Sequence, residues 1–302
     1  MNYQPVSGAD LSLINSLPGA SGHMHVMTAT SPQENPAESG LPIVHSVRPE
    51  QPWVWLALGW RDLMSAPRAS FAYGGAITAV SLAIVAALDG VERLPLLLPL
   101  LAGFALVCPW FAVGLYAISR ALAVGQPITL RTIATTIGGN RDQIALMGVL
   151  LMLIHIVWVR VATLLFALSF DGYPDGLAGL IDLFLRTRDG FAFLAIGTAI
   201  GAVFATTTFA MAVVALPILV DREISVIDAV NTSVAAVSAN PVPMALWAAI
   251  IAGTTVLSFV TGFLGLVVTM PLLGYASWHA YRDLVSRPSP RLPLFSSSNE
   301  RT

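Results

Sequence analysis

The sequence has no lysine, a single cysteine and few charged residues, at 11% of its 302 positions. Soluble domains contain about 25% charged residues, so this charge content is far below that of an aqueous protein. The single cysteine, Cys108, lies inside an apolar run and excludes an intrachain disulfide framework. Nucleic-acid binding is not expected, because the 15 arginines form no basic run and are outnumbered by 17 acidic residues.

Long apolar runs take up much of the chain. Five stretches together contain one charged residue, Arg160, and each is close to or beyond the roughly 20 residues that cross a hydrocarbon core. The stretches are Ser70–Leu88, Leu94–Ser119, Ile144–Ser169, Phe191–Val220 and Met244–Tyr281. This distribution predicts an all-α, polytopic membrane protein without a soluble domain.

The fifth stretch is too long for one crossing. Its 38 residues would form a helix of about 57 Å, nearly twice the thickness of the hydrocarbon core. Two glycines in Thr261–Gly265 predict a turn, which gives six transmembrane helices; one long tilted helix, and hence five crossings, is the alternative. The predicted spans are residues 70–88, 94–119, 144–169, 191–220, 244–260 and 263–281, within a membrane domain of residues 46–285.

The arginines predict the orientation. With six spans, eleven arginines lie on the side that holds both termini, and only Arg93, Arg186 and Arg188 lie on the other side. The positive-inside rule therefore predicts that both termini are cytoplasmic, in a bacterial inner membrane. Residues 1–45 and 286–302 are predicted to be disordered tails, and Met24 or Met27 is an alternative start.

The order of segments predicts a threefold plan. A short amphipathic segment precedes the first, third and fifth spans, and each ends at a helix break: Pro52–Ala66 at Ala66-Pro67, Thr129–Gly138 at Gly139-Asn140, and Ser225–Val237 at Asn240-Pro241. The second span of each pair contains a proline that is expected to kink it, namely Pro109, Pro217 or Pro271. We therefore expect three parallel helix pairs, each preceded by an interfacial helix, with Thr129 and Ser225 as N-caps.

The spacing of apolar residues predicts an apolar side and a polar side for these amphipathic segments. In the first segment Trp53, Leu56, Trp60 and Leu63 form the apolar side, and Arg61 and Asp62 are expected on the polar side. In the third segment Val226, Val230, Val234 and Val237 are apolar, opposite Asp228, Thr232 and Ser233. A fourth amphipathic helix is predicted over Leu177–Leu185 at the outer side, with Asp175 as a possible cap and Asp182 and Arg186 facing water.

A few polar residues lie within the spans. Arg160 is the one charge, but it is about nine residues from the predicted outer end, so anchoring at the interface explains it better than a role in transport. His155 does not share a helical face with Arg160, and an interhelical hydrogen bond is its simplest role. The intramembrane threonines are also expected to bond to neighbouring helices; they are Thr206, Thr207, Thr208, Thr254 and Thr255.

Other residues have predicted structural roles. Gly197 and Gly201 form a GxxxG pattern that favours helix packing. Aromatic and basic residues at helix ends are predicted interface anchors; they are Trp53, Trp60, Trp278, Tyr281 and Arg282. The sequence contains no recognised catalytic, nucleotide-binding or metal-ligand motif, so we expect no catalytic residue, metal or cofactor.

Several motifs resemble one family. The motifs are Ser46-Val47-Arg48, Gly59-Trp60-Arg61-Asp62-Leu63, Gly114-Leu115-Tyr116 with Ser119-Arg120, Leu216-Pro217 with Asp221-Arg222-Glu223, Asn240-Pro241, and Pro271-Leu272-Leu273-Gly274 with Trp278-His279-Ala280-Tyr281-Arg282-Asp283-Leu284. Together they resemble a proteobacterial family of integral membrane proteins, domain of unknown function 2189. The resemblance covers about residues 45–285 and implies a fold rather than an activity. Some members are labelled cytochrome c oxidase subunit I, which needs several membrane histidine ligands, whereas the spans here hold only His155 and His279.

The sequence therefore predicts a non-catalytic scaffold, assembly or accessory protein that contacts membrane lipids and other membrane proteins. A small-molecule transporter or channel is the alternative, since kinked helices, threonines and Arg160 could line a passage. A respiratory oxidase-related subunit is a remote third possibility.

Overall fold

The computed structural model describes residues 42–90, 97–172 and 176–286, and these residues are almost entirely helical. The helices are α1 (Gln51–Ser65), α2 (Pro67–Gly90), α3 (Leu97–Phe111), α4 (Val113–Ala123), α5 (Leu130–Gly138), α6 (Arg141–Ser169), α7 (Gly176–Arg186), α8 (Arg188–Ala212), α9 (Ala215–Asp221), α10 (Val226–Ala239), α11 (Pro241–Val260) and α12 (Leu266–Leu284). Two short strands, β1 (Ile43–Val44) and β2 (Val285–Ser286), pair antiparallel and join the two ends of the described chain. The predicted all-α fold is confirmed. Both predicted tails lie almost wholly outside the described residues, as does Asp175.

Four helical segments are long and apolar enough to cross a membrane: Pro67–Leu88, Arg141–Ser169, Arg188–Asp221 and Pro241–Val260. The other two predicted spans correspond to α3 with α4, which are separated at Ala112, and to α12. The number of six crossings therefore stays a prediction.

The long fifth apolar stretch forms two helices rather than one. Helix α11 ends at Val260 and α12 begins at Leu266, with the turn in the Thr261–Gly265 segment where two glycines predict it. Gly262 has φ 63° and Phe263 has φ 68°, the left-handed conformation that glycine adopts easily and phenylalanine rarely. The Phe263 amide donates to the Ser258 carbonyl at 2.9 Å, which closes the turn.

The three predicted units appear in the order of the helices. Each contains an amphipathic helix, a long helix and a further apolar helical segment: α1, α2 and α3–α4; α5, α6 and α8–α9; α10, α11 and α12. That these segments form three transmembrane pairs stays a prediction. All three predicted breaks after the amphipathic helices are confirmed, since α2, α6 and α11 begin directly after them. Thr129 and Ser225 accept from the amides of Thr132 and Asp228, so both predicted N-caps are also confirmed.

The units pack against one another in a cyclic order. Helix α5 packs on α4 of the preceding unit, α10 packs on α9 of the preceding unit, and α1 packs on α12 of the last unit. The α4, α9 and α12 helices also contact one another, so these three segments form the centre of the bundle. Their central side chains are almost fully buried, including Leu115, Leu216, Tyr275 and Trp278.

The three prolines differ in their effect. Pro217 lies in the first turn of α9, where its missing N–H needs no helical partner, and the chain is interrupted just before it at Val213 and Val214. Pro109 lies two residues before the end of α3. Helix α12 continues without interruption through Pro271.

The predicted polar side of two amphipathic helices is partly buried. In α1 the buried residues are Pro52, Trp55, Gly59, Asp62 and Leu63, so Asp62 faces the bundle whereas Trp53 and Trp60 are exposed. In α10, Thr232 and Ser233 are buried and Val234 is exposed. Both helices therefore bury polar and apolar side chains together: Trp55 and Leu63 of α1, and Val226, Ala229 and Ala236 of α10, are buried as well.

Candidate functional site

Polar side chains from distant parts of the chain meet at one end of the bundle, here called the polar end. It is defined by the carboxylates Asp62, Asp221 and Asp283 and the amides of Asn140 and Asn240. Helix α6 begins beside this end at Arg141, and its 29 residues extend about 43 Å away from it.

Asp62 is the most deeply placed carboxylate of α1, with 5% of the residue exposed. Its Oδ2 accepts from Ser119 Oγ of α4 at 2.7 Å and lies 2.9 Å from His279 Nε2 of α12. Arg61 Nε is 4.0 Å from the other oxygen, but that arginine is largely exposed. The Asp62 carboxylate therefore joins three helices of two different units.

Asp221 is the corresponding centre at the end of α9, with 4% of its side chain exposed. Its Oδ1 accepts from Arg120 Nε of α4 at 3.1 Å, and its Oδ2 accepts from Tyr281 Oη of α12 at 2.8 Å. Arg222 places its guanidinium 5.9 Å from the Tyr281 ring centre. One carboxylate thus connects α4, α9 and α12, one helix from each of the three units.

Asp283 fastens α1 to the end of α12. Its Oδ2 accepts from Gln51 Nε2 at 2.7 Å and from Trp55 Nε1 at 2.8 Å. Trp55 is fully buried and meets Trp247 of α11 edge-on, with 5.8 Å between ring centres. A buried tryptophan N–H therefore has its partner, and the pair fixes the start of α1.

Two asparagines hold the segments that lead into the next amphipathic helix. Asn140 Nδ2 donates to the carbonyls of Leu219, Arg222 and Ile224, just before α10. Asn240 accepts from the Val47 amide at 2.8 Å and donates to the His45 carbonyl at 3.0 Å, just before α1. The two residues occupy the same place in successive units and make equivalent contacts.

The opposite end of the bundle, here called the aromatic end, is built differently. Phe166 of α6 and Phe170, the residue directly after this helix, meet Phe184 of α7 and Phe193 of α8, with ring centres 5.1–6.4 Å apart. Asp182 and Arg186 of α7 are exposed and 3.3 Å apart. Helix α7 therefore covers an apolar cluster and turns its charges outwards.

The predicted intramembrane polar residues are scattered. Arg160 lies on the exposed side of α6. His155 is half-buried and lies so close to α3 that a Cβ at Gly103 would come within 2.3 Å of its ring. Its Nδ1 has no hydrogen-bond partner among the described residues.

The threonines also point in different directions. Thr206 and Thr207 are exposed on α8, whereas Thr208 is buried, and its hydroxyl has no partner within the described chain. Thr254 is half-buried and donates to the Ile250 carbonyl of its own helix at 2.7 Å; Thr255 is also half-buried. The structure therefore does not bring these threonines into one site.

The predicted packing glycines face α6. A Cβ on Gly201 would lie 3.1 Å from the Trp158 ring, and one on Gly197 would lie 3.6 Å from Leu165. Both therefore line the contact between α8 and α6.

The predicted interface anchors fall into two groups. Trp53, Trp60 and Arg282 are exposed, as an anchor requires. Trp278 and Tyr281 are almost completely buried, so their prediction as anchors is corrected: the last turns of α12 are enclosed by α1, α4 and α9.

The polar end is what sequence reasoning missed. Asp62, Asp221 and Asp283 occur in motifs that indicated a family resemblance, but their spacing in the chain shows no common face. Among the described residues, no three histidine, cysteine or acidic side chains are grouped as a metal site would require. The geometry of the polar end shows carboxylates bonded to protein donors, an arrangement that fixes helices relative to one another.

The model of a family described as predicted integral membrane protein (DUF2189) matches residues 97–221. This range runs from the start of α3 to the end of α9 and contains the motifs around Ser119-Arg120 and Asp221. The predicted resemblance is confirmed over that range. No curated protein and no solved structure matches the chain.

Proposed function

We propose that this integral membrane protein is a non-catalytic scaffold or accessory protein that holds other membrane components together. The proposal includes a bacterial inner membrane and cytoplasmic termini. In this role the bundle is a rigid body, and the outward surfaces of its helices bind lipids and partner proteins.

The single observation that favours this role is the filled centre of the bundle. Helices α4, α9 and α12 meet where a passage between the units would run, and Leu115, Leu216 and Tyr275 are fully buried there. A dense core of this kind favours a structural body, because a conducting path needs polar groups around a hydrated space.

The buried carboxylates support the same interpretation. Asp62 and Asp221 each bond to side chains of two other helices. A buried carboxylate that is bonded to donors of two other helices favours a fixed arrangement of these helices, since separating them would leave buried polar groups without partners.

The experiment is affinity purification of the full chain from native membranes in mild detergent, with mass spectrometry of bound proteins and lipids. We expect a partner in stoichiometric amount, absent from a purification of an unrelated membrane protein with the same tag. Recovery of neither a stoichiometric protein nor an enriched lipid would contradict the scaffold proposal. The orientation is tested with a reporter enzyme that is active only in the periplasm. An active reporter fused to the C-terminus would contradict the proposed cytoplasmic termini.

A transporter or channel is the second candidate, and it is favoured by two buried polar atoms in apolar helices. His155 Nδ1 and Thr208 Oγ1 lack partners in the described part of the chain, and such groups in a membrane suggest a ligand path. Proton, chloride and phosphate fluxes in proteoliposomes test this candidate, with His155→Phe and Thr208→Val as variants. Flux that both variants abolish would support transport over a scaffold. An absorption spectrum of the same sample tests the oxidase-related alternative, since bound haem gives a Soret band.

A further inference from the structure

Three amphipathic helices surround the polar end and turn apolar side chains outwards. Helices α1, α5 and α10 together are here called the collar. Trp53 and Trp60 of α1, Leu130 of α5 and Ile227 of α10 are between 49% and 87% exposed. Exposed apolar residues on helices that lie beside the start of long apolar helices match an interfacial position, with the outward face in lipid.

The exposed charge around the collar is positive. Among the described side chains, six exposed arginines lie at the polar end against three exposed carboxylates; they are Arg48, Arg61, Arg68, Arg131, Arg141 and Arg282 against Glu50, Asp142 and Glu223. At the aromatic end, the side chains that the structure describes include two exposed arginines, Arg186 and Arg188, and three exposed carboxylates, Asp171, Asp182 and Asp189. The two ends therefore differ in the sign of their exposed charge.

The outward side of α1 combines both properties. Trp53, Trp60 and Met64 lie along one exposed side, and Arg61 and Arg68 flank its end where α2 begins. The nearest carboxylate, Asp62, is turned into the bundle and bonded to Ser119 and His279. Arg61 Nε lies 4.0 Å from the other Asp62 oxygen, but the Arg61 side chain is 68% exposed, so its guanidinium remains accessible at the surface.

We propose that the collar binds anionic phospholipids of one leaflet, with Arg61 and Arg68 contacting lipid phosphates and Trp53 and Trp60 lying at headgroup level. The inference deepens the proposed scaffold role by naming a lipid partner, and it rests on that role only for the membrane location. Charge complementarity is the physical basis, since guanidinium groups bind phosphates in a bidentate geometry and arginines near an anionic surface strengthen binding.

Tryptophan fluorescence reports this contact directly. Trp55, Trp247 and Trp278 are fully buried and Trp158 nearly so, whereas Trp53, Trp60 and Trp110 are substantially exposed. In a Trp110→Phe background, quenching by brominated lipid therefore reports mainly on α1. The full chain would be reconstituted in phosphatidylcholine with increasing amounts of brominated phosphatidylglycerol or brominated phosphatidylcholine.

We expect brominated phosphatidylglycerol to quench at a concentration about tenfold lower than brominated phosphatidylcholine, with the preference declining as salt is raised. Arg61→Gln with Arg68→Gln should remove most of this preference. The matched control, Arg186→Gln with Arg188→Gln at the aromatic end, should keep it.

Equal quenching of the parent protein by the two lipids would overturn the proposal, as would an unchanged preference in the folded Arg61→Gln/Arg68→Gln variant. If that variant does not fold, the salt dependence of the parent protein decides: a preference that is insensitive to salt contradicts a charge-based contact. Failure here leaves a stoichiometric protein partner unaffected, so the two proposals are distinguished by separate measurements.

Discussion

The polar end and the aromatic end hold the same helices together in different ways. At the polar end, hydrogen bonds join residues that are 57 to 232 positions apart, and they connect all three units. At the aromatic end the cluster is formed by a single stretch of the chain, Phe166–Phe193, on α6, α7 and α8. The comparison indicates that damage at the polar end spreads through the bundle, whereas damage at the aromatic end stays local.

The largest effect is expected for Asp221→Ala. The change leaves Arg120 and Tyr281 without their acceptor at a buried site, so we expect a loss of about 3–5 kcal/mol in the free energy of unfolding. The measurement is the unfolding midpoint in detergent solution. Asp182→Ala, which removes an exposed pair at the aromatic end, is the control and should cost less than about 1 kcal/mol. Equal losses in the two variants would contradict the comparison.

Gly59→Ala tests how closely α1 must approach α12. The new Cβ would lie 2.8 Å from the Ala276 amide nitrogen and 2.9 Å from the Leu272 carbonyl oxygen, so the helices must move apart. We expect a loss of about 1–3 kcal/mol in the unfolding free energy. Gly253→Ala is the matched control, because nothing lies within 4 Å of its added Cβ and alanine favours the helix. A Gly59→Ala variant as stable as Gly253→Ala would show that the contact is loose.

Phe184→Ala should weaken the aromatic end without unfolding the bundle. The variant loses ring contacts to Phe166, Phe170 and Phe193, and we expect a cost of about 1–2 kcal/mol, because lipid or detergent chains can fill the space. Limited trypsin digestion measures the effect, since Arg186 and Arg188 flank the start of α8 and are exposed. Faster cleavage there, with an unchanged global midpoint, is the expected result. A lower global midpoint would mean that the two ends unfold together.

The smallest effects are expected for two N-caps, one at each end. Ser225 accepts from the Asp228 amide at 3.1 Å and Thr187 accepts from the Gly190 amide at 2.9 Å, so each alanine variant should cost about 1 kcal/mol. Hydrogen exchange should locate the Thr187→Ala effect in α7 and α8 alone, whereas Ser225→Ala should also increase exchange in α9. If both variants increased hydrogen exchange only in the helices next to the changed residue, the helices of the polar end would not unfold cooperatively, which would contradict the comparison.

The sequence predicted local features better than the site. Helix breaks, N-caps and the turn near Gly262 follow from short-range rules, and each was found where those rules place it. The buried position of Asp62 was not predictable in this way, because hydrophobic periodicity assigns every charge to the outside and gives no information on a partner such as His279. Trp278 was misassigned for a related reason: tryptophan near a helix end is typical of an interface, and only the fold shows that other helices enclose it.

The packing of the first amphipathic helix, α1, against the last helix, α12, also has a consequence for biosynthesis. Asp62 and His279 are separated by 217 residues, which a ribosome adds in about 10–40 s. During that interval α1 is already made, while its chief contact surface on α12 has not yet been synthesised. A nascent or truncated chain without α12 therefore presents an Asp62 carboxylate that lacks its His279 partner and an uncovered face of α1, which are features that membrane chaperones and proteases can use to recognise incomplete copies.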